Sequence, residues 1–295
     1  MFNRKKFKVK LPSRTLVLGE RTLIMGVLNV TPDSFSDGGK FLGVGAAVKQ
    51  ALAMEAAGAD LIDIGAESTR PGSREISVDE ELQRLLPVLE GLRGKLRIPI
   101  SVDTRKAAVA EAAVRAGAEI INDVSGLRHD ARLAEVARKY RVALVLMHMR
   151  GTPETMQTKP FARDVLKDVT QGLRKSLETA RRAGVKKSQI ILDPGIGFGK
   201  GFAQNYELLG NIPTIAKLGC AVLVGPSRKG FLGKTLEREG KAAPLEDRIW
   251  GTAAAVTASI LGGAHIVRVH DVKEMALVGR VSDCILNPAR MNSAR

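Results

Sequence analysis

Four polar residues, Asp103, Asn122, Asp193 and Lys229, each stand at or just beyond the end of a short apolar run. A carboxylate facing an apolar cavity is costly unless a cation or several donors meet it. The simplest account is mutual pairing, for example Lys229 with Asp193. As a set, however, the donor and acceptor types suit a heterocycle. Two carboxylates and an amide can grip an amino-pyrimidine edge while a lysine donates to its carbonyl oxygen.

A second group, Asn29, Arg70, Arg268 and His270, has anion-binding character. In Arg268-Val269-His270 the polar side chains alternate about a strand and so face one side. Arginine forks match phosphate oxygens. The chain has four histidines, with no close-spaced pair at a candidate site, which argues against zinc. A Mg2+ ion held mainly by phosphate oxygens and one protein oxygen, such as that of Asn29, is compatible. The glycine-rich run Asp193 to Lys200 invites a nucleotide reading, but its spacing fails. A dinucleotide fingerprint needs glycine where Lys200 stands, and a Walker A loop needs Ser or Thr where Gly201 stands.

These residues need a frame. Apolar runs ending in polar residues recur along the chain, with helix-like segments between them. They give expected strands at 23–28, 60–65, 98–102, 119–122, 142–147, 189–192, 221–224 and 264–269. Strands buried on both faces read as continuous apolar runs, and the pattern is that of an α/β fold, a (β/α)8 TIM barrel. Chemistry in such barrels gathers at the C-terminal strand ends. That rim carries Asn29, Asp63, Asp103, Asn122, His148, Asp193, Lys229, Arg268 and His270. A short N-terminal hairpin, 8–11 with 15–18, is expected to close the barrel bottom. Helices are expected at 44–57, 78–92 (Ser77 as N-cap, Glu80 completing a capping box), 106–115, 131–140, up to about Gly184, 205–218, 245–261 and 272–286. A long loop spans 29–45, an exposed charged loop 234–247, and the tail from Asn287 is expected to fray. Glycine marks three helix-to-strand turns, at Gly58, Gly117 and Gly263.

Length and composition bound the rest. With 295 residues and 44% apolar content, one barrel spanning 1–295 is expected as a single domain. Aromatics are 4%, so the core must be aliphatic. The net charge of +15 invites nucleic acid, but basic residues are dispersed and aromatics for stacking are scarce, so neither DNA nor RNA is an expected partner. Cys220 and Cys284 lack metal or disulfide spacing, which favours a reducing, cytoplasmic setting. No signal peptide or membrane anchor is read at the N-terminus, and Gly251 to Val267 is too interrupted to span a bilayer. The helix from Ile249 to Leu261 is apolar over nearly its whole circumference, pointing to a homodimer through late helices.

The chain resembles the dihydropteroate synthases, a pterin-binding barrel family, in order from about Leu23 to Val278. The shared phrases are Met25 to Gly39, Glu67 to Gly72, Ser101-Val102-Asp103-Thr104, Ile121-Asn122-Asp123, Met147-His148-Met149, Leu192-Asp193-Pro194-Gly195, Ser227-Arg228-Lys229 and Arg268-Val269-His270-Asp271. The resemblance implies that 4-aminobenzoate displaces pyrophosphate from 6-hydroxymethyl-7,8-dihydropterin pyrophosphate. By the same resemblance Asp193 and Asn122 hold the 2-amino edge of the pterin, Lys229 its carbonyl side, and Asp103 stabilises developing positive charge. Asn29 reaches Mg2+, while Arg70, Arg268 and His270 take the pyrophosphate. Phe35, Pro71, Phe198 and Lys229 wall the aminobenzoate pocket, and Thr69 and Met147 are further substrate contacts. Asp103, Lys229, Arg268 and His270 are the implied catalytic residues. The family also implies a homodimer and a sulfonamide target. One departure stands out: some relatives have serine after the lysine, whereas here it is Gly230. The aminobenzoate carboxylate is then expected to rely on backbone N–H groups.

Overall fold

The computed structural model describes residues 4–31, 39–68, 72–156, 158 and 162–289. Two antiparallel strands come first, β1 (Phe7–Lys10) and β2 (Thr15–Leu18). Eight parallel strands follow: β3 (Leu23–Asn29), β4 (Leu61–Gly65), β5 (Ile100–Asp103), β6 (Ile120–Asp123), β7 (Ala143–Met147), β8 (Ile190–Asp193), β9 (Ala221–Val224) and β10 (Ile266–Val269). They form a closed barrel in chain order, sealed by the pairing of β10 with β3. The expected strands coincide with these to within the one or two residues by which strand ends are ordinarily uncertain.

Alternation along each strand sorts its side chains into two cores. Met25, Leu61, Ile120, Val145, Ile191, Leu223 and Ile266 pack inside the barrel. Their neighbours Ile24, Ile62, Ile121, Leu144, Leu192, Val222 and Val267 pack outward among the helices. Val9, Leu16 and Leu18 of the hairpin join the inner core, so the hairpin plugs the barrel bottom as expected. His265 helps hold it there. Its Nδ1 accepts from Val222 N–H at 3.1 Å and its Nε2 lies 2.8 Å from the Lys5 carbonyl.

The helices are α1 (Gly39–Ala56), α2 (Val78–Leu92), α3 (Ala107–Arg115), α4 (Leu133–Tyr140), α5 (Val165–Arg182), α6 (Phe202–Gly210), α7 (Ile212–Ala216), α8 (Gly230–Thr235), α9 (Arg248–Leu261) and α10 (Val272–Leu286). Several differ from expectation. The helix α1 starts at Gly39, inside the segment read as loop. The expected helix 205–218 is two helices broken at Asn211, where Pro213 sits in the first turn of α7 and its missing N–H is tolerated. The helix α8 takes up the start of the presumed loop 234–247. Ser77 does cap α2, accepting from Glu80 N–H at 3.1 Å. The Glu80 carboxylate turns to Arg84 instead of completing the box. The glycines at the three helix-to-strand turns all have positive φ, with Gly117 at +115°.

Candidate active site

The inward parity that builds the core also builds the site. At the C-terminal end of the barrel the inward slots hold Asp63, Asp103, Asn122, Met147, Asp193 and Arg268. All are buried except Arg268, which is half-buried. Arg268 bridges two acids. Its Nε donates to Asp63 Oδ2 at 2.6 Å and its Nη2 to Asp103 Oδ2 at 2.9 Å. The same Asp63 oxygen accepts from Asn122 Nδ2 at 2.9 Å. That bond fixes the amide so that Asn122 Oδ1 is turned away from Asp63. The sequence had grouped Arg268 with anion-binding residues; the structure sets it among the acids, because two buried carboxylates need a counter-charge.

Burial pushes the Asp103 carboxyl up to about 7, against the pull of Arg268. It pushes Asp193 up to about 6. Asp193 Oδ1 accepts from Gly195 N–H at 2.7 Å. Among the described residues no ion pair joins Lys229 to Asp193, so the simplest pairing account fails. Lys229 Nζ instead lies 3.9 Å from the centre of the Phe198 ring, a cation–π contact. Burial, then repulsion from Arg268, brings its ammonium down to about 8. Phe198 packs with Val124, Met147, Met149 and Met156 as an apolar wall beside it.

The turn after β8 is shaped to these neighbours. Gly195 has φ +69°, and a Cβ there would lie 1.9 Å from the His148 carbonyl oxygen. Gly197 has φ +83°, and its Cβ would meet Lys229 Cδ at 2.8 Å. Both positions need glycine for conformation and for close approach. Gly230 opens α8, and a Cβ there would meet nothing within 4 Å. The serine of some relatives would fit without strain.

On the rim, His270 N–H donates to Ser227 Oγ at 3.2 Å, and its Nδ1 lies 3.0 Å from that same oxygen. Burial, with nearby Arg268, lowers His270 to about 3. It is therefore a neutral hydrogen-bonding ring at pH 7. Asn29 closes β3, half-buried. Phe35, Thr69, Arg70 and Pro71 lie outside the described residues. The base of the segment that leads to Thr69 is visible: buried Glu67 pairs with Arg105 and Lys106, and Lys106 also donates to Glu81 at 2.7 Å. The sequence placed Asp63 on the rim but gave no specific part to it, to Ser227 or to this buried charge cluster. Asp63 carried one legible signal, an acid at an inward position within an apolar strand.

The profile of the pterin binding enzyme family matches residues 25–270. The dihydropteroate synthase of Synechocystis sp. is 46% identical over 267 residues, covering 90% of this chain and 91% of that protein. That of Bacillus subtilis is 47% identical over 268 residues, covering 91% and 90%. This chain belongs to the dihydropteroate synthase family. Its barrel superposes on the solved dihydropteroate synthase of Xanthomonas albilineans with 4-aminobenzoic acid at TM-score 0.88 and 41% identity, covering 96% of this chain and 99% of that one. The Yersinia pestis enzyme in a sulfonamide complex matches at TM-score 0.86 and 41% identity, covering 97% and 100%. Membership makes the chain a transferase, and it bears out the resemblance carried by the strand-end phrases.

Proposed function

We propose that the chain joins 6-hydroxymethyl-7,8-dihydropterin pyrophosphate to 4-aminobenzoate. The aniline nitrogen forms a C–N bond to the pterin methylene carbon. The C–O bond to pyrophosphate breaks, the leaving group takes the electron pair, and the amine loses a proton. The observation that carries this reading is the set of buried Asp193 and Asn122 with half-buried Lys229 around one barrel mouth, the Asn122 amide being oriented by Asp63. Asp193 and Asn122 Oδ1 accept from the 2-amino edge of the pterin. Lys229 donates to its carbonyl side. Asp103 stands ready to stabilise positive charge as the leaving group departs, and Met147 and Phe198 exclude water. Aniline nitrogen is neutral at pH 7, so no base is required to activate it.

Arg268 and His270, with Arg70, are assigned to the pyrophosphate side, Phe35, Pro71, Phe198 and Lys229 to the aminobenzoate side, and Thr69 is a further substrate contact. Neutral His270 serves as a hydrogen-bonding group there. A Mg2+ ion would be held by the Asn29 oxygen, which stands half-buried at the end of β3, with diphosphate oxygens as the other ligands. When bound, the ion neutralises charge on the leaving diphosphate.

The chain is proposed as one domain that works as a cytoplasmic homodimer. Leu277, Val281 and Ile285 recur every four residues on α10 and are 55%, 62% and 55% exposed. Trp250 of α9 is 74% exposed. This apolar surface replaces the uniformly apolar α9 read from the sequence, since α9 buries Thr252, Val256 and Ser259 inward. No helix among the described residues is long and apolar enough to cross a membrane.

The reaction is tested by following pyrophosphate. Release that requires the protein, the pterin pyrophosphate and 4-aminobenzoate together supports the proposal. Release that ignores 4-aminobenzoate, or none at all, defeats it.

A further inference from the structure

Lys200 ends the glycine-rich turn after β8 and is given no contact with substrate above, though its charge favours the ionised form of Asp193. It is 4% exposed. Its ammonium donates to three carbonyl oxygens, those of His148 at 2.9 Å, Gly195 at 2.8 Å and Phe198 at 2.9 Å. An ammonium carries three N–H donors, so each is matched to one carbonyl. A buried lysine ordinarily faces a carboxylate; here the Asp193 carboxylate acts on the ammonium through charge alone, and the ammonium's hydrogen bonds go to backbone carbonyls. Two of the carbonyls belong to the turn, and the third belongs to the residue just after β7. The ammonium therefore ties both ends of the turn to the neighbouring strand end.

What the turn presents is Phe198. Its N–H donates to the Gly195 carbonyl at 3.1 Å, closing the loop that Lys200 braces from below. Gly197 N–H donates to Asn205 Oδ1 at 2.6 Å, which fixes the far side. The Phe198 ring then lies under Lys229 and against Met147. We propose that Lys200 is a positioning residue, whose three carbonyl bonds hold the turn in the shape that sets the Phe198 wall beside Lys229. The sequence hid this role, because Gly199-Lys200 reads as a failed phosphate loop while the side chain points inward.

The inference rests on the reading of the Phe198 wall as the aminobenzoate side of the pocket. The test compares wild type, Lys200→Met, Phe198→Ala and the double variant. Initial rates with both substrates are measured at about pH 6.5, above the Asp193 carboxyl at about 6 and below the Lys200 ammonium, which burial lowers to about 7. Pterin affinity is measured separately by calorimetry. In Lys200→Met, KM for 4-aminobenzoate is expected to rise about tenfold or more, with kcat and pterin affinity within about threefold of wild type. In the double variant, KM should match Phe198→Ala alone, because one effect acts through the other. A loss confined to kcat or to folded protein, or additive effects on KM, overturns the proposal. If Lys200→Met does not fold, Lys200→Gln keeps two N–H donors and should show an intermediate KM; an unchanged KM there overturns it equally. A wild-type chain that releases no pyrophosphate defeats the reading of the reaction. An active wild type beside a Lys200→Met variant of normal KM defeats the role of Lys200 alone.

Discussion

Asp193→Asn should move binding and stability in opposite directions. In the folded chain the Asp193 carboxyl is buried and titrates at about 6, above its ordinary 3.8. The folded state thus holds its proton more tightly than the unfolded chain, and stability falls as pH rises from about 4 to about 6, then stays lower. At pH 7 the ionised group costs up to about 3 kcal/mol, from about 1.4 kcal/mol per pKa unit. Asparagine removes that charge and still accepts from Gly195 N–H through Oδ1. The variant should therefore melt a few degrees higher than wild type. Binding should suffer. A hydrogen bond to a charged acceptor is worth about 1.5–3 kcal/mol, and the new Nδ2 donor would face the amino edge of the pterin. A loss of about 3 kcal/mol is about a hundredfold in Kd. Calorimetry with a pterin and a thermal melt on the same sample check both. The assignment fails if the variant binds the pterin as wild type does. Unchanged affinity with raised stability would make Asp193 a buried charge without a ligand. Asp193→Ala should lose at least about tenfold in affinity, with a melting change that also includes the lost Gly195 bond.

Pterin affinity should follow a bell in pH. It should weaken below about 6 as Asp193 takes a proton, and above about 8 as Lys229 loses one, which calorimetry across that range would show. His265 should give the hairpin plug an acid weakness. Its folded pKa is lowered from 6.5 to about 4, so its contribution is present above about 6.5 and is lost as pH falls towards 4. The difference in urea stability between wild type and His265→Gln should shrink by up to about 3 kcal/mol over that range. Val281→Glu on α10 should yield monomer by light scattering if the exposed stripe is the dimer contact, and an unchanged mass would contradict it. Aminobenzoate should bind weakly to the free chain and much more tightly once pterin and Mg2+-pyrophosphate are present, because Arg70, Phe35 and Pro71 stand in stretches of sequence rich in Gly, Pro and Ser. Equal affinity in both conditions would refute gating by those segments.

Much of the site could be read from the chain because a parallel barrel turns a local pattern into a place. Asp103, Asn122 and Asp193 each close an apolar run, and inward parity at a strand end is a property of a few residues. The partners of these groups were not legible. Arg268 meets Asp63 across 205 positions and Asp103 across 165. No spacing rule connects them; only barrel closure does. The strand that carries Arg268 says nothing of the two acids opposite it. Likewise the neutral state of His270 follows from its burial and its bond to Ser227, neither of which its neighbours in sequence reveal. The break at Asn211 did have a local signal, Pro213, which opens α7 and which a continuous helix over 205–218 overlooks.

The central claim is a bond between the aniline nitrogen and the pterin methylene. The most direct measurement supplies 15N-labelled 4-aminobenzoate, the pterin pyrophosphate and Mg2+ to the chain, and follows the product by mass spectrometry alongside pyrophosphate. The account predicts 7,8-dihydropteroate carrying the label, formed in equal amount to pyrophosphate. Pyrophosphate released beside unlabelled hydroxymethyl-dihydropterin would show that water, and not the amine, attacks, and would contradict it.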